Sequence, residues 1–324
     1  LARQPRVEMI ALLFACSLAE AASKIPASKV AAGGSAGAAT AESLDSSSHC
    51  DEASEPPMPL VRQGGELVNR EVSNTIEIDG RTMHFRDLHE ELQLTYVHNF
   101  VSADEIEALV RMADARQGWA RSPLKTQGKG ESLNVAGTKK DDRRNSSSCP
   151  MIWPLVYASR RAELEGNPAA AGIIDELDLT TNLSARVASM FAATGLDISA
   201  DYIEPLQLVR YKSSELFGPH HDYHATSESS VQGEQRAFTF LLFGATLAPE
   251  QGGETHFPEL DIAISPRMGD GLVWANVDAA GEPNPRSLHQ GRPPADGEKI
   301  AVNVWVADRA FDVSNGMERA VRAG

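Results

Sequence analysis

The sequence holds little cysteine, no dense run of lysine and arginine, and no long apolar stretch. Three cysteines in 324 residues, Cys16, Cys50 and Cys149, are too few and too scattered for a disulfide framework or a cysteine-based zinc site. Two arrangements stay open for them: a Cys50–Cys149 bridge in an oxidising compartment, or free thiols. The formal charge of -15 and the missing basic run exclude nucleic acid and an anionic membrane surface as the main partner. The apolar run from Met9 to about Leu18 is too short to span a bilayer comfortably.

That run follows Arg3 and Arg6 and precedes an A-x-A pattern at Ala19–Ala21, the layout of a secretory signal peptide. Residues 1–23 are therefore expected to be a signal or targeting leader, with an inert alanine-rich helix or a transit peptide as alternatives. Residues 24–65 are Ala, Gly, Ser, Pro and acid without apolar periodicity, and they read as a disordered linker. The expected location is the endoplasmic reticulum or secretory pathway, with the cytoplasm as alternative. Membrane contact is expected only if the leader is retained.

From residue 66 the texture is that of a folded chain. "ELVNREVSNTIEIDGRTMHF", with Gly80, predicts a hairpin. In "NFVSADEIEALVRMADAR", Ser102 and Glu105 form a capping box ahead of an apolar stripe at Ile106, Leu109, Val110 and Ala113, which predicts a helix packed on a sheet. Ser122–Ser148 reads as a long loop, and a second helix is predicted across "NLSARVASMFAATG". Asn145 and Asn182 open glycosylation sequons. Residues 66–200 thus form an N-terminal helical and hairpin support.

Beyond residue 200, "EPLQLVRY", "RAFTFLLFGA", "GLVWANV" and "KIAVNVWVAD" are short β-branched and aromatic runs parted by Gly and Pro turns. The fold class is mainly β. A double-stranded β-helix (jelly roll) core over 201–312 is expected, supported by N-terminal helices and followed by a tail at 313–324.

The densest polar cluster is "PHHDYH" at 219–224. If it lies on a strand, His220, Asp222 and His224 share one face, and His221 and Tyr223 the other. An imidazole and a carboxylate can then reach one ion, as His220 with Asp222 or as Asp222 with His224. A third ligand must come from elsewhere, from His256 or His289. Two histidines and a carboxylate with open positions suit non-haem Fe(II). Solvated histidines near a turn would explain the pair alone equally well. Lys299, ten residues past His289 at the head of a strand-like run, shifts that balance. If His289 ends one strand and Lys299 starts the next, both can face one cavity. A buried lysine there calls for an anion, which a dicarboxylic 2-oxoacid co-substrate would supply.

With these motifs the sequence resembles the prolyl 4-hydroxylase-type 2-oxoglutarate- and Fe(II)-dependent dioxygenases. The matching stretches are "EPLQLVRY" at 204–211, "PHHDY" at 219–223, "RAFTFLLFGATLAPEQGGETHFP" at 236–258, "ISPRMGDGLVW" at 264–274 and "SLHQGRPPADGEKIAVNVWV" at 287–306. Upstream, "VHNFVSADEIEALV" resembles the family's entry helix and "RRNSS" at 143–147 its arginine-serine segment. The resemblance implies His220, Asp222 and His289 as iron ligands and Lys299 as the residue for the distal carboxylate of 2-oxoglutarate. It implies Tyr211 and Thr255 as further co-substrate contacts, whose hydroxyls can give a carboxylate directional hydrogen bonds. Arg236 either faces the peptide substrate or pairs with a neighbouring acid. Trp274 and Trp305 are expected to serve the core before the pocket.

The implied activity is hydroxylation of peptidyl proline to 4-hydroxyproline, coupled to oxidative decarboxylation of 2-oxoglutarate to succinate and CO2. It implies Fe(2+), 2-oxoglutarate, O2 and L-ascorbate as cofactors and co-substrates, and a proline-containing peptide as partner. The alternatives are the same chemistry on another peptide residue or small molecule, and a non-catalytic peptide-binding module. Ser214 stands where the family commonly has Gly, and Phe217 and Phe243 where it has Tyr. These departures bear on substrate preference and loop geometry.

Overall fold

The computed structural model of the chain describes residues 59–122, 144–225, 230 and 232–313. The leader, nearly all of the linker, Cys16, Cys50 and the tail beyond residue 313 lie outside the described residues.

In chain order the strands are β1 (Val61–Gln63), β2 (Glu66–Leu67), β3 (Asn74–Ile78), β4 (Arg81–His89), β5 (Leu94–Val97), β6 (Ala120–Arg121) and β7 (Ser147–Pro150). They continue with β8 (Gln207–Tyr211), β9 (Phe217–His220), β10 (Arg236–Phe243), β11 (Thr255–Phe257) and β12 (Ile262–Ile264). The last are β13 (Gly271–Ala275), β14 (His289–Gly291) and β15 (Lys299–Ala307). Two longer helices, α1 (Ala103–Ala115) and α2 (Ala171–Ala193), precede the core.

Eight strands, β8 to β15, are divided between two sheets. One sheet runs β8-β15-β10-β13 and the other β9-β14-β11-β12, with every pairing antiparallel. This is the double-stranded β-helix, and the predicted fold class stands. The support region carries both expected helices and more strand than the expected hairpin. Its β3, β4 and β5 extend the larger sheet at one edge, and β7 and β6 extend it at the other. β1 pairs with β12, and Val61 is buried, so residues 61–63, expected to be linker, are strand.

The two-residue strand period sorts the larger sheet's side chains between two cores. Phe238, Phe240 and Leu242 of β10, with Val302, Val304 and Val306 of β15, pack with Ile106 and Leu109 of α1 and Val187 and Phe191 of α2. Leu241, Phe243 and Ala301 face the other way and pack with Phe257, Ile262, Ile264 and Trp274. β10 is apolar on both faces because it is covered on both.

The β3–β4 hairpin turns at Asp79 and Gly80, both at positive φ as a tight hairpin turn requires. Ser102 and Glu105 make the predicted capping box. α2 begins eleven residues before the stretch that predicted it, because Leu177, Thr180 and Leu183 already continue its buried face. Part of the expected Ser122–Ser148 loop is strand. Ser122 N–H donates to the Ser146 carbonyl, and Ser147 begins β7. No helix among the described residues is long and apolar enough to cross a membrane.

Candidate metal and co-substrate site

β9 ends at His220, and Asp222 lies in the coil that follows. β14 begins at His289, directly opposite His220 in the ladder. His289 therefore starts its strand rather than ending the one before, and the expectation that 220–224 is strand fails beyond His220. The pairing still brings the two imidazoles together, with ring centroids 4.2 Å apart.

The protonation pattern of both rings follows from their neighbours. His220 Nδ1 lies 2.9 Å from the Gly218 carbonyl, and His289 Nδ1 lies 2.9 Å from the Ser287 carbonyl. A carbonyl only accepts, so each Nδ1 carries the proton and each Nε2 presents a lone pair. Those Nε2 atoms lie 3.6 Å from Asp222 Oδ1 and 3.6 Å from Asp222 Oδ2, respectively. One ligand atom from each of His220, Asp222 and His289 falls within 4.8 Å of the others. Two aligned imidazole lone pairs and a carboxylate fit a divalent first-row metal ion.

The surroundings hold the donors in their metal-binding forms. Burial, then the His289 ring, pushes the His220 pKa down to about 3, so the imidazole is neutral. Burial alone would raise the Asp222 carboxyl. His289, His220 and Arg236 outweigh it and hold the group below the ordinary carboxylate range, and the Trp305 indole N–H adds to this without completing a hydrogen bond of ordinary geometry. Phe217 stacks on His220 at 3.4 Å, and Arg144 sits 4.1 Å over Phe217. Trp274 meets His289 edge-on at 4.7 Å. Phe217 thus touches a ring of the cluster, a role its place as a departure from the family pattern did not suggest.

One narrow cavity connects this cluster with the residues predicted to hold a co-substrate. His220, Asp222, His289, Tyr211, Thr255 and Lys299 all line it. Lys299 opens β15 opposite Tyr211, the last residue of β8. From Lys299 the period of two brings Ala301, Asn303 and Trp305 to the same cavity. Lys299 Nζ donates to Thr255 Oγ1 at 3.2 Å and lies 5.6 Å from the Tyr211 ring centroid. No described carboxylate pairs with this fully buried ammonium, and burial pushes its pKa down to about 7, with Glu254 partly opposing from a distance. Such a group is poised to accept an anion. Gly291 passes beside Tyr211, where a Cβ would approach the phenol oxygen to 3.4 Å.

The other histidines separate. His221 is half-buried, stacks on Tyr223 and places Nδ1 3.1 Å from Ser287 Oγ. His224 is buried away from the cluster, 4.0 Å from both Glu204 and Glu234. His256 bonds Gln290 and is not a third ligand. Of the two readings of Arg236, the acid pairing is the one observed. Its guanidinium makes a two-pronged bond to Glu204 at 2.6 and 2.7 Å and lies 3.6 Å over Trp305. Cys149 is buried and unbridged. Sequence reasoning missed Glu204, Thr239 and Asn276. Thr239, a lone hydroxyl inside "RAFTFLLF" at a cavity-facing step of the strand period, was the signal available.

Residues 206–307 match the family model described as the 2OG-Fe(II) oxygenase superfamily. The chain is 29% identical over 126 residues to "Prolyl 4-hydroxylase 1" of Arabidopsis thaliana, covering 35% of this chain and 44% of that protein. It is 34% identical over 165 residues to "Prolyl 4-hydroxylase subunit alpha-3" of Homo sapiens, covering 48% of this chain and 29% of that one. The chain thus spans less than half the length of these curated relatives. Among solved structures, a viral collagen prolyl hydroxylase from Paramecium Bursaria Chlorella virus-1 in a 2OG complex aligns with a TM-score of 0.45 and 20% identity. That alignment covers 66% of this chain and 95% of the viral one. The family model spans all eight strands of the β-helix and every residue of the cavity cluster, and over that stretch the chain is similar to the 2OG-Fe(II) oxygenase superfamily.

Proposed function

We propose that the protein is an Fe(II)- and 2-oxoglutarate-dependent hydroxylase of peptidyl proline, yielding 4-hydroxyproline, succinate and CO2. The observation that carries this reading is the juxtaposition, in one cavity, of the His220–Asp222–His289 cluster with the buried Lys299–Thr255 pair, which no described carboxylate neutralises. A 2-oxoacid dicarboxylate has two ends to match. Its 2-oxoacid end suits the metal held by the cluster, and its distal carboxylate suits Lys299, Thr255 and Tyr211. Proline as the residue attacked is supported by the names of the relatives.

The metal, when bound, supplies the activation of O2 that this reaction needs. The chain's residues do the rest. Neutral His220, ionised Asp222 and His289, whose Nδ1 is tied to the Ser287 carbonyl, offer three donors on one side. Lys299 and its hydroxyl partner fix the direction of the co-substrate. Phe217, Trp274 and Trp305 wall the cavity and exclude water. Glu204 holds Arg236 flat on Trp305, so Arg236 shapes the rim without presenting a free charge. We assign ascorbate as the accompanying reductant, residues 66–312 as one catalytic unit of support and jelly roll, and the secretory pathway as its setting, on the leader pattern of residues 1–23.

The test is 2-oxoglutarate-coupled turnover of proline-rich peptides followed by mass spectrometry. The expected result is succinate release that depends on peptide and iron, with one oxygen added to proline. Robust turnover in iron-free protein would sink the reading.

A further inference from the structure

Asp222 must offer an oxygen to a cation while its own carboxylate is held still, and a chain of three buried groups does the holding. The Trp274 indole Nε1 lies 3.0 Å from Asn276 Oδ1. An indole N–H can only donate, so the oxygen of the Asn276 amide faces Trp274, and its NH2 points the other way. That NH2 donates to Thr239 Oγ1 at 2.8 Å. With Thr239 already accepting there, its own hydroxyl proton goes to Asp222 Oδ2, 2.8 Å away. Thr239 and Asn276 are fully buried and Trp274 nearly so, so no water competes for these bonds.

The polarity of the chain is thus set at its far end by a residue that cannot reverse it. We infer that Thr239 is a positioning residue for the metal site: its hydroxyl, oriented by Trp274 through Asn276, occupies Asp222 Oδ2 and leaves Oδ1 as the oxygen presented to the cation. The inference rests on the reading of His220, Asp222 and His289 as metal ligands. It also gives β10 and β13, whose residues Thr239 and Trp274 stand opposite each other in the ladder, a function beyond packing.

The test measures Mn(II) affinity by calorimetry on the full chain, without co-substrate or peptide, beside the melting temperature of the metal-free protein. Thr239→Val keeps the shape and removes the hydroxyl; Thr239→Ser keeps the hydroxyl. The expected result is Mn(II) binding about tenfold weaker in Thr239→Val and within about twofold of wild type in Thr239→Ser. If Thr239→Val fails to fold, Thr239→Ala against Thr239→Ser decides by the same criterion. Equal affinity in the hydroxyl-free variant and wild type would overturn the positioning role alone. Equal weakening in Thr239→Ser and Thr239→Val would overturn it too. Wild-type protein that binds no Mn(II) would overturn the metal-site reading beneath it.

Discussion

At the scale of single residues, Lys299 carries the sharpest expectation. Burial pushes its pKa down to about 7. Below pH 7 it is already charged, and a dianion binds without proton uptake. Above pH 7 it is neutral, and binding must draw a proton to restore the ammonium. The apparent affinity for 2-oxoglutarate should fall by about tenfold per pH unit above 7, until the raised pKa of the complex is reached. Titrations between pH 6.5 and 8.5 check this, and Lys299→Ala should weaken co-substrate binding, remove the pH slope and leave Mn(II) affinity largely intact. A flat profile in the wild type would count against the lysine as the anion partner. Ser214 supplies a second expectation. It stands where the family commonly has Gly, and its φ is +68°, the left-handed region that a side chain disfavours. Ser214→Gly should raise stability by about 0.5–1 kcal/mol in chemical denaturation, after the extra chain entropy glycine brings to the unfolded state.

At the scale of elements, Glu105 ties three of them together. It caps α1 by accepting from the Ser102 backbone N–H at 2.8 Å. It also binds Arg186 of α2 at 2.8 Å and Arg81 of the β3–β4 hairpin at 3.3 Å. Ser102→Ala removes only one arm of the capping box and should cost about 1 kcal/mol. Glu105→Ala leaves the buried Arg186 guanidinium with the Phe100 carbonyl and one carboxylate, Asp79, mostly exposed and 3.5 Å away, and should cost about 3 kcal/mol. Denaturation midpoints of the two variants test the order. The Ser102–Glu105 half of this joint was legible in the sequence because a capping box is local. The Arg186 half was not, because the partners stand eighty-one positions apart in the chain. The same division runs through the site. The strands after residue 200 announced themselves by alternation, and Lys299 by standing at a strand head. The candidate metal ligands were legible as a resemblance, while their geometric justification by strand register was only partly right, since Asp222 sits past the end of β9. Thr239, Asn276 and Glu204 act through contacts with residues distant in the chain, which no local pattern encodes.

At the scale of the whole molecule, the cavity lies between the two sheets and is built from both. His220 and His289 come from β9 and β14, while Lys299 and Tyr211 come from β15 and β8. Asp222 bonds Thr239 of β10 across the gap, and Lys299 bonds Thr255 of β11. A metal ion and a dicarboxylate bound there would link groups from opposite walls of the β-helix and stabilise the folded state by mass action. At a hundredfold excess over its dissociation constant, each ligand adds about 2.7 kcal/mol. For a domain of this size that corresponds to a rise in melting temperature of roughly 5–10 °C per ligand. Thermal melts should therefore show one increment with Mn(II) and a second when 2-oxoglutarate is added with it. Lys299→Ala should keep the first increment and lose most of the second, and His289→Ala should lose both, because the 2-oxoacid end then has no metal to meet. A full second increment in His289→Ala would show that the dicarboxylate binds independently of the cluster, and would separate the two halves of the cavity that the proposed reaction requires to act together.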